Sequence, residues 1–315
     1  MQPAPNRQDI EFNSGGALCR AWLYRPPSVS LMPCIVMAHG LGGLRTASLE
    51  PYALRFAAAG FAVLLFDYRH FGASEGMPRQ CVAIGHQLQD WAAAIAKARA
   101  LPGVDAARIA LWGTSFSGGH VVVAAARDGR VAAISAQGPM MDGLTAALNI
   151  VRYAGLLPLL RLAWRGMLDV AGSMLGRAPL LIPLVAPPGQ LATMSTPDAE
   201  PGYRAIVGPD WINGIAARFA LALSFYRPVA YAHGVPCPAL IIVAEDSVAP
   251  ASAAIQTANA IGPRAELVRL AMGHFDLYLG AGFERTSSLQ LAFFRRVLAP
   301  VPIPVPADQA LPQAA

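Results

Sequence analysis

The chain has 315 residues, of which 55% are hydrophobic and only 14% charged, which excludes a disordered polymer and supplies core enough for one large domain with an insertion or, equally, for two small domains. The formal net charge is +5, but the arginines are scattered and Lys97 is the only lysine, so there is no basic stripe and nucleic acid is not an expected partner. The four cysteines, Cys19, Cys34, Cys81 and Cys237, form no C-x-x-C pair and read as buried, reduced thiols.

In chain order, the opening MQPAPNRQDIEF has no apolar core behind a basic start, so no signal peptide is visible and a cytoplasmic protein is expected. Apolar runs punctuated by Gly and Pro predict strands at 17–24, 34–38, 62–66, 109–112, 131–135, 240–243 and 266–270. Helical periodicity fills most of the gaps, at 49–59, 84–100, 116–126, 251–260 and 286–297. Such alternation implies an α/β protein with a mainly parallel central sheet flanked by helices. The alternation stops after Gly138 and resumes near Pro238; a structureless loop of that length is implausible, so 140–235 reads as an inserted, largely helical cap. The core is then 1–139 and 236–299, and 300–315 (with PVPIPVP) is an extended, proline-rich tail. The greasiest region, 153–188, is interrupted by Arg161, Arg165, Asp169 and Arg177 and then by Pro179, Pro183, Pro187 and Pro188, which argues against a membrane span.

Three stretches carry chemistry. In RIALWGTSFSGGHVVVAAA a short apolar strand turns directly into a helix, and Ser115 sits at the turn. A serine there is pushed out above the sheet edge with a helix N-terminus behind it. Ser117 is the rival, flanked by Ser115 and Gly119, and the bland alternative is a capping serine. The one formal G-x-S-x-G match, at Ser74, is followed by the turn-rich GMPRQ rather than a helix, so it reads as a loop serine. The second stretch, AHGLGG, follows the strand CIVMA. Its glycines permit a tight turn whose amides could face a developing oxyanion, with Leu41 and Phe116 as the donors. A dinucleotide loop is the competing interpretation, weakened by Arg45 at its sixth position. Third, His274 in LAMGHFDLY follows the last strand, and Asp246 in IIVAEDSVAP follows the one before it. Serine, acid and base would then emerge on one sheet edge, in the order Ser115, Asp246, His274. Asp142 is the rival acid, Glu245 a spare, and Asp67 and Asp276 look structural.

On AHGLGG, FDYRHFGASEG, GTSFSGG, AEDSVAP and MGHFDLY, spanning 37–278, the chain resembles the α/β-hydrolase superfamily, and within it serine hydrolases related to dienelactone hydrolases, acyl esterases and cocaine-esterase-like enzymes. The departures are Ser117 where glycine is usual and His70 in the loop after the third strand candidate. The resemblance implies a serine hydrolase of carboxylic esters acting through an acyl-enzyme on Ser115, with no metal and no organic cofactor; the apolar cap favours a hydrophobic acyl or alcohol group, the alternative being that its apolar residues form only the cap's own core. Acyl transfer, or cleavage of a thioester, lactone, amide or C–C bond, uses the same triad, and a non-catalytic binding module is the reading from another class. A small-molecule ester is the expected partner, and a homodimer is left open.

Overall fold

The computed structural model describes residues 6–26, 31–245 and 249–299; the tail expected at 300–315 and Asp246 lie outside the described residues. The strands are β1 (Asn6–Ser14), β2 (Ala17–Arg25), β3 (Met32–Ala38), β4 (Ala62–Phe66), β5 (Val104–Thr114), β6 (Ala133–Gln137), β7 (Leu181–Ile182), β8 (Ile215–Ala216), β9 (Ala239–Ala244) and β10 (Ala265–Leu270). Eight of them form one sheet in the order β1-β2-β4-β3-β5-β6-β9-β10. Pairing is antiparallel from β1 to β2 and from β2 to β4, and parallel from β4 through β10. The interior parallel strands β4 and β9 read as unbroken apolar runs because both of their faces are covered: every residue of AVLLF and ALIIVA is buried, as is every residue of AISAQ in β6, including Ser135 and Gln137.

The covering helices are α1 (Glu50–Ala58), α2 (Ile84–Arg99), α3 (Phe116–Asp128), and, late in the chain, α8 (Ala251–Ile261) and α9 (Gly280–Val297). α1 packs on α9, with Phe56 and Phe294 edge to face at 5.6 Å, while α2 packs on α3. Strand β1 was not anticipated, because in NRQDIEFNS the alternation is confined to Ile10 and Phe12 and the first four residues are exposed. It is an edge strand held by pairing with β2 through a Gly15-Gly16 turn at φ 59° and 87°. Gly-Gly is a hairpin signal that was present in the sequence.

Between β6 and β9 lie α4 (Gly143–Ala154), α5 (Leu156–Met174), β7, α6 (Ala199–Ile206), β8 and α7 (Phe219–Leu223), and only the two-residue pair β7–β8 is strand. The two ends of this excursion meet at the sheet edge. Gly143 N–H donates to Tyr226 O at 2.8 Å and Val229 N–H to Met141 O at 2.9 Å. Within it, buried Asp169 of α5 accepts Arg218 N–H at 2.9 Å, Arg218 Nε at 2.6 Å and Leu180 N–H at 2.8 Å, tying α5 to α7. Among the described residues, no helix is long and apolar enough to cross a membrane.

Candidate active site

β4 pairs with one side of β3 and β5 with the other, so strand order reverses at β3, the place where turns at the carboxyl edge diverge and leave a crevice. Ala38 pairs with Gly113 and Thr114 with Gln137, so the turns after β3, β5 and β6 leave the sheet side by side. Ser115 is the first residue beyond β5, at φ 55° and ψ −119°, a conformation that costs a non-glycine residue about 1–3 kcal/mol and persists only where the surroundings enforce it. Here Ser115 N–H donates to Gln137 O at 2.8 Å, and Ser115 O accepts from the N–H groups of Gly118 and Met140, each at 3.0 Å. The approach of loop and strand to helix is tight enough to demand glycine at two positions. A Cβ on Gly113 would lie 2.2 Å from Ser117 O, and one on Gly40 would lie 2.8 Å from Ser115 Cβ.

The three serines have different surroundings. Ser115 is partly exposed and lines two cavities. Ser117 is fully buried; its hydroxyl donates to the His39 carbonyl and pairs with the Tyr68 hydroxyl, which also accepts from Trp91 Nε1 at 2.7 Å. The serine that replaces glycine here thus ties α3 to the loop after β3 from below. Ser74 is buried, donates to Asp67 O at 2.7 Å and accepts Arg20 N–H at 2.8 Å, a tie between the loop after β4 and strand β2.

The larger cavity, about 570 Å³, runs from Ser115, Leu41 and Phe116 to Ile150 and Tyr153 of α4, Met194 and Leu223. The smaller, about 380 Å³, holds Ser115 and Leu41 again with His39, Tyr203 and His274. His274 is buried in the turn beyond β10, and its ring packs on the glycine after β6: a Cβ on Gly138 would lie 3.2 Å from both Nδ1 and Cε1. Asp276 holds that turn, accepting Gly273 N–H at 2.8 Å. β9 ends at Ala244, two residues before Asp246, which lies outside the described residues. The rival carboxylates are engaged. Asp142 caps α4, accepting the N–H groups of Leu144 at 2.9 Å and Thr145 at 3.1 Å, and pairs with Arg227 Nε at 2.9 Å. Glu245 pairs with Arg269 at 2.7 Å on the surface.

Phe116 opens α3, where amides have no intrahelical acceptor and the helix dipole is positive. The Leu41 segment is held by side chains from the excursion: Tyr203 of α6 donates its hydroxyl to Leu41 O at 2.6 Å, and Trp211 Nε1 donates to Gly42 O at 3.0 Å. The two rings stack at 4.9 Å. Sequence reasoning missed both roles, since no spacing rule joins residues 162 and 169 positions apart. Of the other histidines, His39, His70 and His120 are buried, and burial lowers the pKa of all three, that of His120 to about 3. His120 bonds Tyr226 OH at 2.5 Å and Gln87 Oε1 at 2.9 Å, so both ring nitrogens are used. Among the described residues no group of three His, Cys, Asp or Glu could hold a metal ion.

Comparisons with known proteins accord with this architecture. Residues 15–178 match the family described as X-Pro dipeptidyl-peptidase (S15 family). The quorum-quenching protein AidA of Acinetobacter baumannii (strain MDR-ZJ06) is 43% identical over 293 residues, covering 92% of this chain and 95% of that protein. Polyketide transferase af380 of Aspergillus fumigatus is 31% identical over 304 residues, covering 93% and 99%. The crystal structure of the alpha/beta hydrolase GrgF from Penicillium sp. sh18 matches with a TM-score of 0.80 at 28% identity, over 93% of this chain and 99% of that one. Sheet order, the strained turn after β5 and these similarities together place the chain in the X-Pro dipeptidyl-peptidase (S15) family of α/β-hydrolases.

Proposed function

We propose that the protein is a serine hydrolase of carboxylic esters that carry a hydrophobic acyl or alcohol group. The observation that carries this reading is Ser115 itself: a serine in an enforced left-handed conformation, at a helix N-terminus, lining two cavities at once. In this mechanism Ser115 Oγ attacks the ester carbonyl while His274 takes its proton. The amides of Leu41 and Phe116 bear the tetrahedral oxyanion, each donor contributing about 3 kcal/mol. His274 then returns the proton to the leaving alcohol, and water hydrolyses the acyl-enzyme by the same steps in reverse order of roles. Asp246 orients the imidazole and stabilises its charged form. The apolar lining of the larger cavity, with Met140, Ile150, Met194 and Leu223, supports an apolar substituent there, and residues 140–235 act as the cap that excludes water from it.

The test is covalent labelling with a fluorophosphonate alongside hydrolysis of a short activated ester. Ser115→Ala should lose labelling and at least about ten-thousandfold in kcat/KM, whereas Ser117→Ala and Ser74→Ala should still label. Labelling retained in Ser115→Ala overturns the assignment. Acyl transfer is the second reading, favoured by the similarity to a polyketide transferase. It predicts that an added alcohol, amine or thiol diverts the acyl group from water at millimolar concentration. Lactone and thioester substrates fit the same acyl-enzyme and are separated by which leaving group gives the highest kcat/KM.

A further inference from the structure

Helix α5 is inside out. Its buried face presents Leu162, Gly166 and Asp169, spaced by four and three residues, and Gly166 admits α7 so closely that a Cβ there would lie 2.8 Å from Leu221 Cγ. The opposite face carries Leu156, Leu160, Trp164, Met167 and Met174, and Leu160 and Trp164 are 55% and 58% exposed and Met174 82%. These residues follow at helical spacing, so they form one continuous stripe. On α4, Leu144 and Leu148 are exposed as well, 45% and 59%, while Ile150 and Tyr153 of the same helix line the cavity beside Ser115. Scattered exposed leucines need no explanation, but an unbroken stripe containing a tryptophan does.

The exposed charges that α4 and α5 themselves carry are of one sign. Arg152, Arg161, Arg165 and Arg177 are exposed along α4, α5 and the residues just beyond. The only acid on the two helices, Asp169, is buried and ion-paired with Arg218 at 2.6 Å. A second copy of the chain meeting this face about a two-fold axis would bring arginines against arginines with no exposed carboxylate on either helix to receive them, and Glu245, which lies beside Arg152, is already engaged by Arg269 at 2.7 Å. An anionic lipid surface meets both requirements, taking an apolar stripe among its acyl chains and a flanking set of guanidinium groups among its phosphates. We propose that the outer face of α4 and α5 docks onto anionic bilayers, lying in the interface without crossing it, and so sets the roof of the Ser115 cavity against the membrane. Binding does not depend on the reaction assigned above.

The experiment uses the full chain and vesicles of phosphatidylcholine with and without phosphatidylglycerol, read by co-sedimentation and by quenching of tryptophan fluorescence with brominated lipid. The protein should sediment with the phosphatidylglycerol vesicles and be released by high salt. Quenching should disappear in Trp164→Phe while sedimentation persists, placing that residue at the contact. Leu160→Glu/Trp164→Glu should abolish sedimentation, and Arg161→Ala/Arg165→Ala should weaken it by about fivefold for each arginine removed. Both double variants should keep wild-type circular dichroism and thermal unfolding, since the changed side chains face outward. The proposal is overturned if the wild type stays in the supernatant. It is equally overturned if analytical ultracentrifugation shows a dimer that Leu160→Glu/Trp164→Glu converts to monomer without lipid present, because a second copy then covers the face.

Discussion

Ser115 stores strain that its neighbours sustain, and its tolerance of glycine tests that account. Ser115→Gly should remove the φ 55° penalty and raise the unfolding free energy by about 1 kcal/mol while abolishing turnover; lower stability than the wild type would show that the turn is relaxed rather than enforced. Ser117 should behave in the opposite sense. Removing its hydroxyl leaves Tyr68 OH and His39 O with one partner fewer in a buried site, so Ser117→Ala should cost about 1–2 kcal/mol in urea unfolding. His120 supplies a pH prediction. Burial holds its pKa at about 3 in the folded chain, against about 6.5 when unfolded. The unfolded state therefore binds more protons in that window, and stability falls as the pH is lowered through it. From about pH 7 to about pH 5 this one group should remove about 2 kcal/mol, and the drop should shrink by that amount in His120→Gln. An unchanged drop would assign the acid sensitivity elsewhere, with His39, whose pKa burial also lowers, as the next group to vary.

The turn after β3 is positioned from two elements at once, by the glycines that let it approach Ser115 and by α6 and the following loop, which hold its carbonyls. Because the Leu41 carbonyl is fixed by Tyr203, Tyr203→Phe should let the neighbouring peptide rotate. We expect kcat to fall by roughly tenfold with little change in KM, since a misdirected donor weakens the transition state and not ground-state binding. Equal losses in kcat and in stability would mean that the hydroxyl only packs the loop. At the carboxyl edge, the capping of α4 by Asp142 separates the two acids. Asp142→Ala should lower unfolding stability by about 1 kcal/mol through the lost cap and leave kcat within about threefold. Asp246→Asn should instead lower kcat by about ten-thousandfold with stability nearly unchanged. The reverse ranking would move the acid to the end of β6.

Across the molecule, the excursion between β6 and β9 supplies one wall of the Ser115 cavity and the sheet edge supplies the other. If that cavity takes the apolar part of the substrate, kcat/KM should climb with chain length by up to about 0.8 kcal/mol, or fourfold, per methylene until the space is filled, and then fall. Ile150 lines the cavity on α4, so Ile150→Ala should shift the optimum to longer chains and Ile150→Phe to shorter ones. A profile that is flat in all three proteins would show that the excursion binds no part of the substrate.

The sequence by itself determined the sheet and its edge. Unbroken apolar runs such as AVLLF and ALIIVA can be stable only when buried on both faces, and Gly113 and Gly40 are needed wherever a helix or loop passes this close to a strand end. The polar strand β1 escaped detection because its buried face carries only two apolar residues, Ile10 and Phe12, while its first four residues are exposed, too short an alternation to mark a strand. Tertiary structure decided the rest. Ser115 and Ser117 are indistinguishable by type and two positions apart, yet one faces two cavities and the other fastens Tyr68 to the His39 carbonyl. Tyr203 and Trp211 meet the Leu41 turn only because a long excursion folds back over the sheet edge. The leucines of α5 look like core in the sequence; only the packing of Gly166 and Asp169 against α7 turns them outward. Local pattern records which side chains avoid water, whereas their partners are set by contacts between residues far apart in the chain, which no local period encodes.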